Sequence, residues 1–297
     1  MGPVDVPVHE ATVRNGSGRL FVRVVGNGRP VFVVHGGPDF SHEYLRPDLD
    51  RLADQVRLVY YDQRGRGRSF DVDGSEEVTI ESEVADLDAV RRSVVGVDPG
   101  AVLGHSWGGL LALEYAIRHP RNVSHLILMN TAPVSHSGAI VLRQELARLK
   151  TPEQERTMQQ ITSSPAYRNG ELEADAAYYR IHFGAAFHRR DLLDGLVGRL
   201  RIGSSPEGIV RARGIEQKLY EQTWSGNYDL IPQLALLRIP TLVIHGEGDF
   251  VPLSIAEEIA SAVSGAELVV LADCGHFAYL DQPDEVRRRV VDFLTTT

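Results

Sequence analysis

The stretch GHSWGG, residues 104–109, sets Ser106 between glycines, directly after the apolar run AVL and directly before LLALEYAIRHP. A serine hydroxyl becomes a useful nucleophile when a base takes its proton, and an imidazole base needs a third group to fix its tautomer. Two later stretches offer both partners, Asp249 after TLVIHG and His276 after ELVVLA, so the chain order is Ser106, Asp249, His276. Together they would support acyl transfer, with His276 accepting the serine proton and then giving it to the leaving group. Glu247, in the same turn as Asp249, is the alternative acid, whereas Asn130 at the end of an earlier strand cannot carry a negative charge. Attack on a carbonyl also calls for donors to the developing oxyanion. The Trp107 backbone N–H, at a helix start, is one candidate; the Gly37 N–H in HGGPDF is the other, since no side chain there blocks an approaching carbonyl.

Such a constellation needs several loops at one edge of a sheet, and the hydrophobic patterning supplies them. HEATVR, RLFVRVV and PVFVVHGG read as three short strands, an edge meander leading inward. HEYLRPDLDRLA then predicts a helix, VRLVYYD a strand, IESEVADLDAVRRSVV a helix and AVLGHS a strand. LLALEYAIRHP is a helix stopped by Pro120, and VSHLILMN is a strand with little polar content, as in a parallel sheet covered on both faces. After Asn130 come charged helical segments such as LRQELARLKTPEQERTMQQI and GIVRARGIEQKLYEQTW, with no convincing strand. The strand and helix alternation resumes with PTLVIHGEGD, PLSIAEEIASAVSG, AELVVLADCGH and DEVRRRVVDFL. The pattern predicts an α/β fold with a mostly parallel central sheet flanked by helices. Residues 1–132 and 236–297 form the core domain, and 133–235 form a helical insertion. Ser106, Asp249 and His276 all follow strands, where ligands gather in open parallel sheets. A sharp strand-to-helix turn at Ser106 would leave no room for a Cβ at Gly104 or Gly108. His105 reads as structural, its side chain pointing away from that of Ser106.

Composition narrows the partners. Of 297 residues, 43% are apolar and 24% charged, ordinary values for a globular chain. The formal net charge of -9 repels nucleic-acid phosphates and anionic lipid, so neither nucleic acid nor a membrane is an expected partner. MGPVDVPVHE lacks the basic and apolar regions of a secretory signal, and no apolar stretch approaches the ~18 residues of a membrane span; a cytoplasmic location is the expectation. The lone Cys274 cannot form an intramolecular disulfide and reads as a small buried residue. Eleven histidines include no familiar ligand spacing, so no metal and no other cofactor is expected. DQRGRGRS, residues 62–69, lacks both G-x-G-x-x-G spacing and a P-loop lysine, and is not read as a nucleotide site.

HGGPD, DQRGRGRS and GHSWGG are together similar to the signatures of the proline iminopeptidase branch of the α/β-hydrolase superfamily. Tryptophan straight after the nucleophile is characteristic of that branch. The resemblance implies Ser106, Asp249 and His276 as catalytic triad, Gly37 and Trp107 as oxyanion donors, residues 133–235 as a cap over the pocket, and a small-molecule or short-peptide substrate cleaved at its N-terminal end. Two features depart from the branch. Asp39 stands where glycine is common, adding a carboxylate expected near the pocket mouth. The cap glutamates that hold a substrate amine lack their surrounding motif; Glu216 and Glu221 are the candidate substitutes, with an exposed helix face as the other reading. Tyr178, Tyr179, Phe183, Phe187 and Trp224 either line an apolar pocket or pack the cap. Hydrolysis of a carboxylic ester or lactone by the same triad stays open, as does ligand binding without catalysis. A carboxylate placed for an ammonium would favour the aminopeptidase, and a wholly apolar cavity the esterase.

Overall fold

The computed structural model describes residues 7–70 and 77–296. Eight strands form one sheet: β1 (Val8–Asn15), β2 (Gly18–Val25), β3 (Pro30–Val34), β4 (Arg57–Tyr61), β5 (Gly100–His105), β6 (Val123–Met129), β7 (Thr241–Gly246) and β8 (Glu267–Leu271). Their spatial order is β1-β2-β4-β3-β5-β6-β7-β8. β2 pairs antiparallel with both β1 and β4, and all other neighbours are parallel. β3 through β7 bury nearly every residue, as strands must when both sheet faces are covered.

This order corrects the expected meander. β3 does not extend the β1–β2 hairpin; it lies between β4 and β5. Val31 to Val34 are apolar without a break and need cover on both faces, which only the middle of the sheet provides. A second correction concerns residues 42–53, which form two short 3-10 turns, His42–Leu45 and Leu49–Leu52, rather than a helix. Pro47 is the cause: it disfavours helical backbone at Arg46, which is extended at φ -106°, ψ 156°.

The flanking helices begin with α1 (Ile80–Val95), started by a Thr79–Ser82 capping box and ended at Gly96, and α2 (Trp107–Arg118), buried from Trp107 to Ala116. Between β6 and β7 lie α3 (His136–Arg148), α4 (Pro152–Ser163), α5 (Pro165–Arg168), α6 (Leu172–His182), α7 (Leu193–Val197), α8 (Pro206–Thr223) and α9 (Ile231–Leu234). Thr151 with Gln154 caps α4, and Ser205 before Pro206 starts α8. The core resumes with α10 (Leu253–Ala262), α11 (Ala278–Asp281) and α12 (Pro283–Thr296).

The glycine-rich stretch DQRGRGRS proves to be a clamp. The buried Arg66 guanidinium donates to Glu83 at 2.7 and 3.0 Å, to the Gln63 side chain at 2.8 Å and to the Pro38 carbonyl at 2.8 Å. Asp62 accepts the backbone N–H groups of His42 at 2.9 Å and Arg68 at 2.8 Å. Arg66 thereby holds the HGGPDF loop at Pro38, and Asp62 holds the turn that follows it at His42. Removing one partner of a buried ion pair strands the other charge. Glu83→Ala is expected to lower stability by about 3–5 kcal/mol in urea unfolding, and the double change Arg66→Met, Glu83→Leu by much less. A loss near zero for the single variant would contradict the clamp.

Candidate active site

The turn between β5 and α2 holds Ser106 at φ 56°, ψ -122°, a conformation costing a non-glycine residue about 1–3 kcal/mol. Backbone bonds enforce it: Ser106 N–H donates to Met129 at 3.0 Å, and the Ser106 carbonyl accepts from Gly109 at 2.9 Å and Ala132 at 3.0 Å. A Cβ on Gly104 would strike the Gly108 carbonyl, and one on Gly108 would strike the Val34 carbonyl, so these glycines are required by close backbone packing.

Ser106 Oγ lies 3.0 Å from His276 Nε2, and His276 Nδ1 lies 2.8 Å from Asp249 Oδ1. The loops after β5, β7 and β8 therefore bring the three sequence-selected residues together. Glu247 is exposed and takes no part. Asp249 also accepts the Val251 N–H at 2.8 Å and the Asn130 side-chain amide at 2.8 Å. Burial opposes the charge of Asp249, yet His276 and His245 beside it hold its pKa below the ordinary 3.8. A hydroxyl bonded to an imidazole whose far nitrogen faces a buried carboxylate is equipped for proton transfer to that imidazole. Gly37 and Trp107 line the same cavity as Ser106.

Asn130 is the site residue that sequence reasoning missed. Considered only as a failed acid, it serves as the donor that orients the acid, at a strand end with φ 49° where asparagine is tolerated. His105 points away from Ser106 as expected, and it links two loops. The Gly36 N–H donates to the Tyr44 hydroxyl at 2.8 Å, that hydroxyl lies 2.7 Å from His105 Nδ1, and His105 Nε2 lies 3.0 Å from the His276 carbonyl. Burial, with His276 adding, pushes His105 down to about 3, so the ring is neutral and its Nε2–H donates. The loop of His276 is further anchored to the insertion. His276 N–H donates to the Ala186 carbonyl at 2.7 Å, and the Asp281 carboxylate accepts the N–H groups of Gly275, His188 and Arg189 at 2.8, 3.1 and 2.9 Å. Cys274 is buried.

A cavity of ≈ 590 Å³ opens over Ser106. Tyr178, Tyr179, Phe183 and Trp224 line it; Phe187 does not, since it stacks on Phe277 with ring centroids 4.8 Å apart. Trp224 stacks on Tyr220 at 4.2 Å and donates its indole N–H to the Pro133 carbonyl at 3.0 Å. Glu221 is exposed at the margin of the cavity, where it accepts from Gln217 at 3.1 Å. Glu216 is enclosed by the fold but faces the cavity. Its carboxyl is pushed well above the ordinary 4.5 by burial first and by the charge of Asp39 second, with the Tyr220 hydroxyl opposing. The Tyr220 hydroxyl gives its proton to the Gly37 carbonyl at 3.0 Å, which joins α8 to the loop after β3.

Asp39 is not at the pocket mouth, contrary to the sequence expectation. It is buried behind the wall, ion-paired with Arg201 and accepting from the Tyr179 hydroxyl at 2.8 Å. Arg201 also binds Asp175 at 2.8 Å, and Asp175 pairs with Arg213. Arg201 comes 162 positions later in the chain, so no local pattern announces the pairing. The cluster holds three carboxylates, Asp39, Asp175 and Glu216, against two guanidiniums that both engage the aspartates. No ion pair reaches Glu216 among the described residues.

Among the described residues no group of three His, Cys, Asp or Glu is placed to hold a metal ion, and no helix is long and apolar enough to cross a membrane. The chain is 28% identical over 289 residues to the proline iminopeptidase of Saccharolobus solfataricus, covering 92% of this chain and 86% of that one. The fold matches a solved proline iminopeptidase of Mycobacterium smegmatis with a TM-score of 0.67 at 23% identity, covering 97% and 98% of the two chains. It also matches Est816, described as an N-acyl homoserine lactone degrading enzyme, with a TM-score of 0.68 at 21% identity, covering 95% and 100%. The family model for the alpha/beta hydrolase fold spans residues 29–283, from the residue before β3 to the first residue of α12, and with the strand order and the Ser106 turn this makes the chain a member of the α/β hydrolase family.

Proposed function

We propose that this protein is a serine hydrolase working through an acyl-enzyme, and that it acts as an aminopeptidase of the proline iminopeptidase kind on small peptides or amides. Ser106 is the nucleophile, His276 the base and then acid, and Asp249 the residue that orients the imidazole. Ser106 Oγ bonds to the substrate carbonyl carbon while its proton passes to His276. The carbonyl oxygen takes the negative charge against the Gly37 and Trp107 N–H groups. The carbon–nitrogen bond then breaks, and the His276 proton goes to the leaving amine. Water, deprotonated by His276, attacks the acyl carbon and restores the serine. In this reading residues 133–235 serve as the cap over a core made of 1–132 and 236–297.

The observation that carries the aminopeptidase reading is Glu216, a carboxylate with no ion pair among the described residues, in a largely aromatic cavity whose other charged lining residues are Glu221 and Arg143. A substrate ammonium there would replace the missing counter-charge of the cluster. The apolar walls and the likeness in fold to a lactone-degrading enzyme favour esters or lactones as the second reading. Proline p-nitroanilide against p-nitrophenyl acetate and butyrate separates the two. Rapid ester turnover without anilide cleavage removes the peptidase. A fluorophosphonate probe should label the wild type and leave Ser106→Ala unlabelled; an unlabelled wild type would leave only a binding protein.

Glu216 must be deprotonated to hold an ammonium, and its pKa is raised, so binding is weak below that pKa and strong above it. The KM for proline p-nitroanilide should therefore fall as pH rises above 4.5 through the raised carboxyl. In Glu216→Gln this dependence should flatten and KM should rise about tenfold or more, with kcat changed less. An unchanged KM profile in the variant would rule out amine recognition by Glu216.

A further inference from the structure

A second cavity, of ≈ 330 Å³, lies beside the first and shares Leu146, His182 and Phe250 with it. The shared wall stands on the side of the imidazole: the Phe250 ring packs on His276 with centroids 4.1 Å apart, and His182 meets Phe250 at 6.1 Å. Mechanism gives that side a meaning. The leaving nitrogen has to come within hydrogen-bond reach of His276 Nε2 to be protonated. The leaving portion of a substrate therefore points toward Phe250 and His182, while Glu216 lines the first cavity and not the second.

The far cavity is lined by cations without an acid, whereas Glu216 and Glu221 outnumber Arg143 in the near one. Lys150 and Arg190 line it, together with Gln154. Lys150 is half-buried, spends one donor on the Leu146 carbonyl at 2.9 Å, and forms no ion pair among the described residues; Glu155 is the acid whose field reaches it. Arg190 is exposed at the rim and is likewise without an ion pair among the described residues. His182 feels both Lys150 and His276, and burial in the first place holds it down at about 3, so the partition between the cavities carries no charge. The first cavity thus holds the carboxylate of Glu216 and its neighbour a pair of cations, Lys150 and Arg190.

We infer that the second cavity is a leaving-group subsite, in which Lys150 and Arg190 bind the free C-terminal carboxylate of a short peptide. The inference rests on the aminopeptidase reading and gives its substrate two charged ends: a zwitterionic peptide of two or three residues, in preference to an amide, an anilide or the end of a long chain. Lys150 is the specificity-determining residue, since it lines the cavity with a half-buried ammonium anchored by one donor to the Leu146 carbonyl; Arg190 adds charge at the rim.

The test compares kcat/KM for prolylglycine and prolylglycylglycine with their C-terminal amides. The wild type should favour the acid over the amide by about tenfold for at least one length. In Lys150→Met the ratio should fall toward one, in Lys150→Arg it should be retained, and in Arg190→Gln it should fall part of the way. A wild-type ratio near one at both lengths, or a ratio that survives Lys150→Met, overturns the subsite while leaving the aminopeptidase standing. A second substrate pair keeps the two ideas separable: the butyrate esters of 4-hydroxybenzoate and 4-hydroxybenzamide, whose leaving groups differ by the same carboxylate and whose acyl part carries no ammonium. Preference for the benzoate ester that is lost in Lys150→Met supports the subsite even if no peptide is cleaved, and then the aminopeptidase reading alone falls. No preference within either pair removes the subsite.

Discussion

The backbone at Ser106 is held where an isolated L residue would not stay, and most of the surrounding architecture follows from keeping it there. Its N–H and carbonyl are tied to β6, to the first turn of α2 and to Ala132, so relaxing the turn would cost several hydrogen bonds at once. The loop after β3 lies so close above it that a Cβ on Gly36 would come 2.9 Å from Ser106 Cβ. That loop has little regular structure of its own. Arg66 and Asp62 hold it instead, which explains why a glycine-rich motif with no ligand of its own belongs to the same assembly.

Much of this was legible in the sequence because it depends on local rules. Glycines around Ser106, strands read from β-branched runs, and an acid and an imidazole each placed just after a strand are short-range signals, and all three side chains meet as the spacing suggests. What the sequence hid is long-range. Asp39 looks like a free carboxylate until Arg201 is known to reach it, and β3 looks like part of a meander until its neighbours are known to be β4 and β5. Asn130 was passed over because only its lack of charge was considered; as an amide donor at a strand end it completes the surroundings of Asp249. The helix expected over residues 42–53 failed for a local reason, Pro47, that the sequence already displayed.

The cavity is electrostatically lopsided rather than simply apolar. Aromatic rings line much of it, and beside such low-polarity walls a charge is felt more strongly than in water. Asp39 and Asp175 pair directly with both neighbouring guanidiniums, while Glu216 forms no ion pair among the described residues and feels Arg201 and Arg213 only through their fields. Burial is the larger cause of its raised pKa and the like charge of Asp39 the next. The net charge of the whole chain conceals this arrangement, because the meaningful imbalance is confined to a few side chains.

The bonds from Ala186, His188 and Arg189 to the segment around His276 join the insertion to the loop that carries the imidazole, not merely to the scaffold. An insertion tied in this way cannot swing out without breaking them. Displacing residues 186–189 would take the Ala186 acceptor from the His276 N–H and leave that loop its bonds with His105 and Asp249. The attachment is a latch shared by the insertion and the loop after β8, so a shift of one segment draws the other with it.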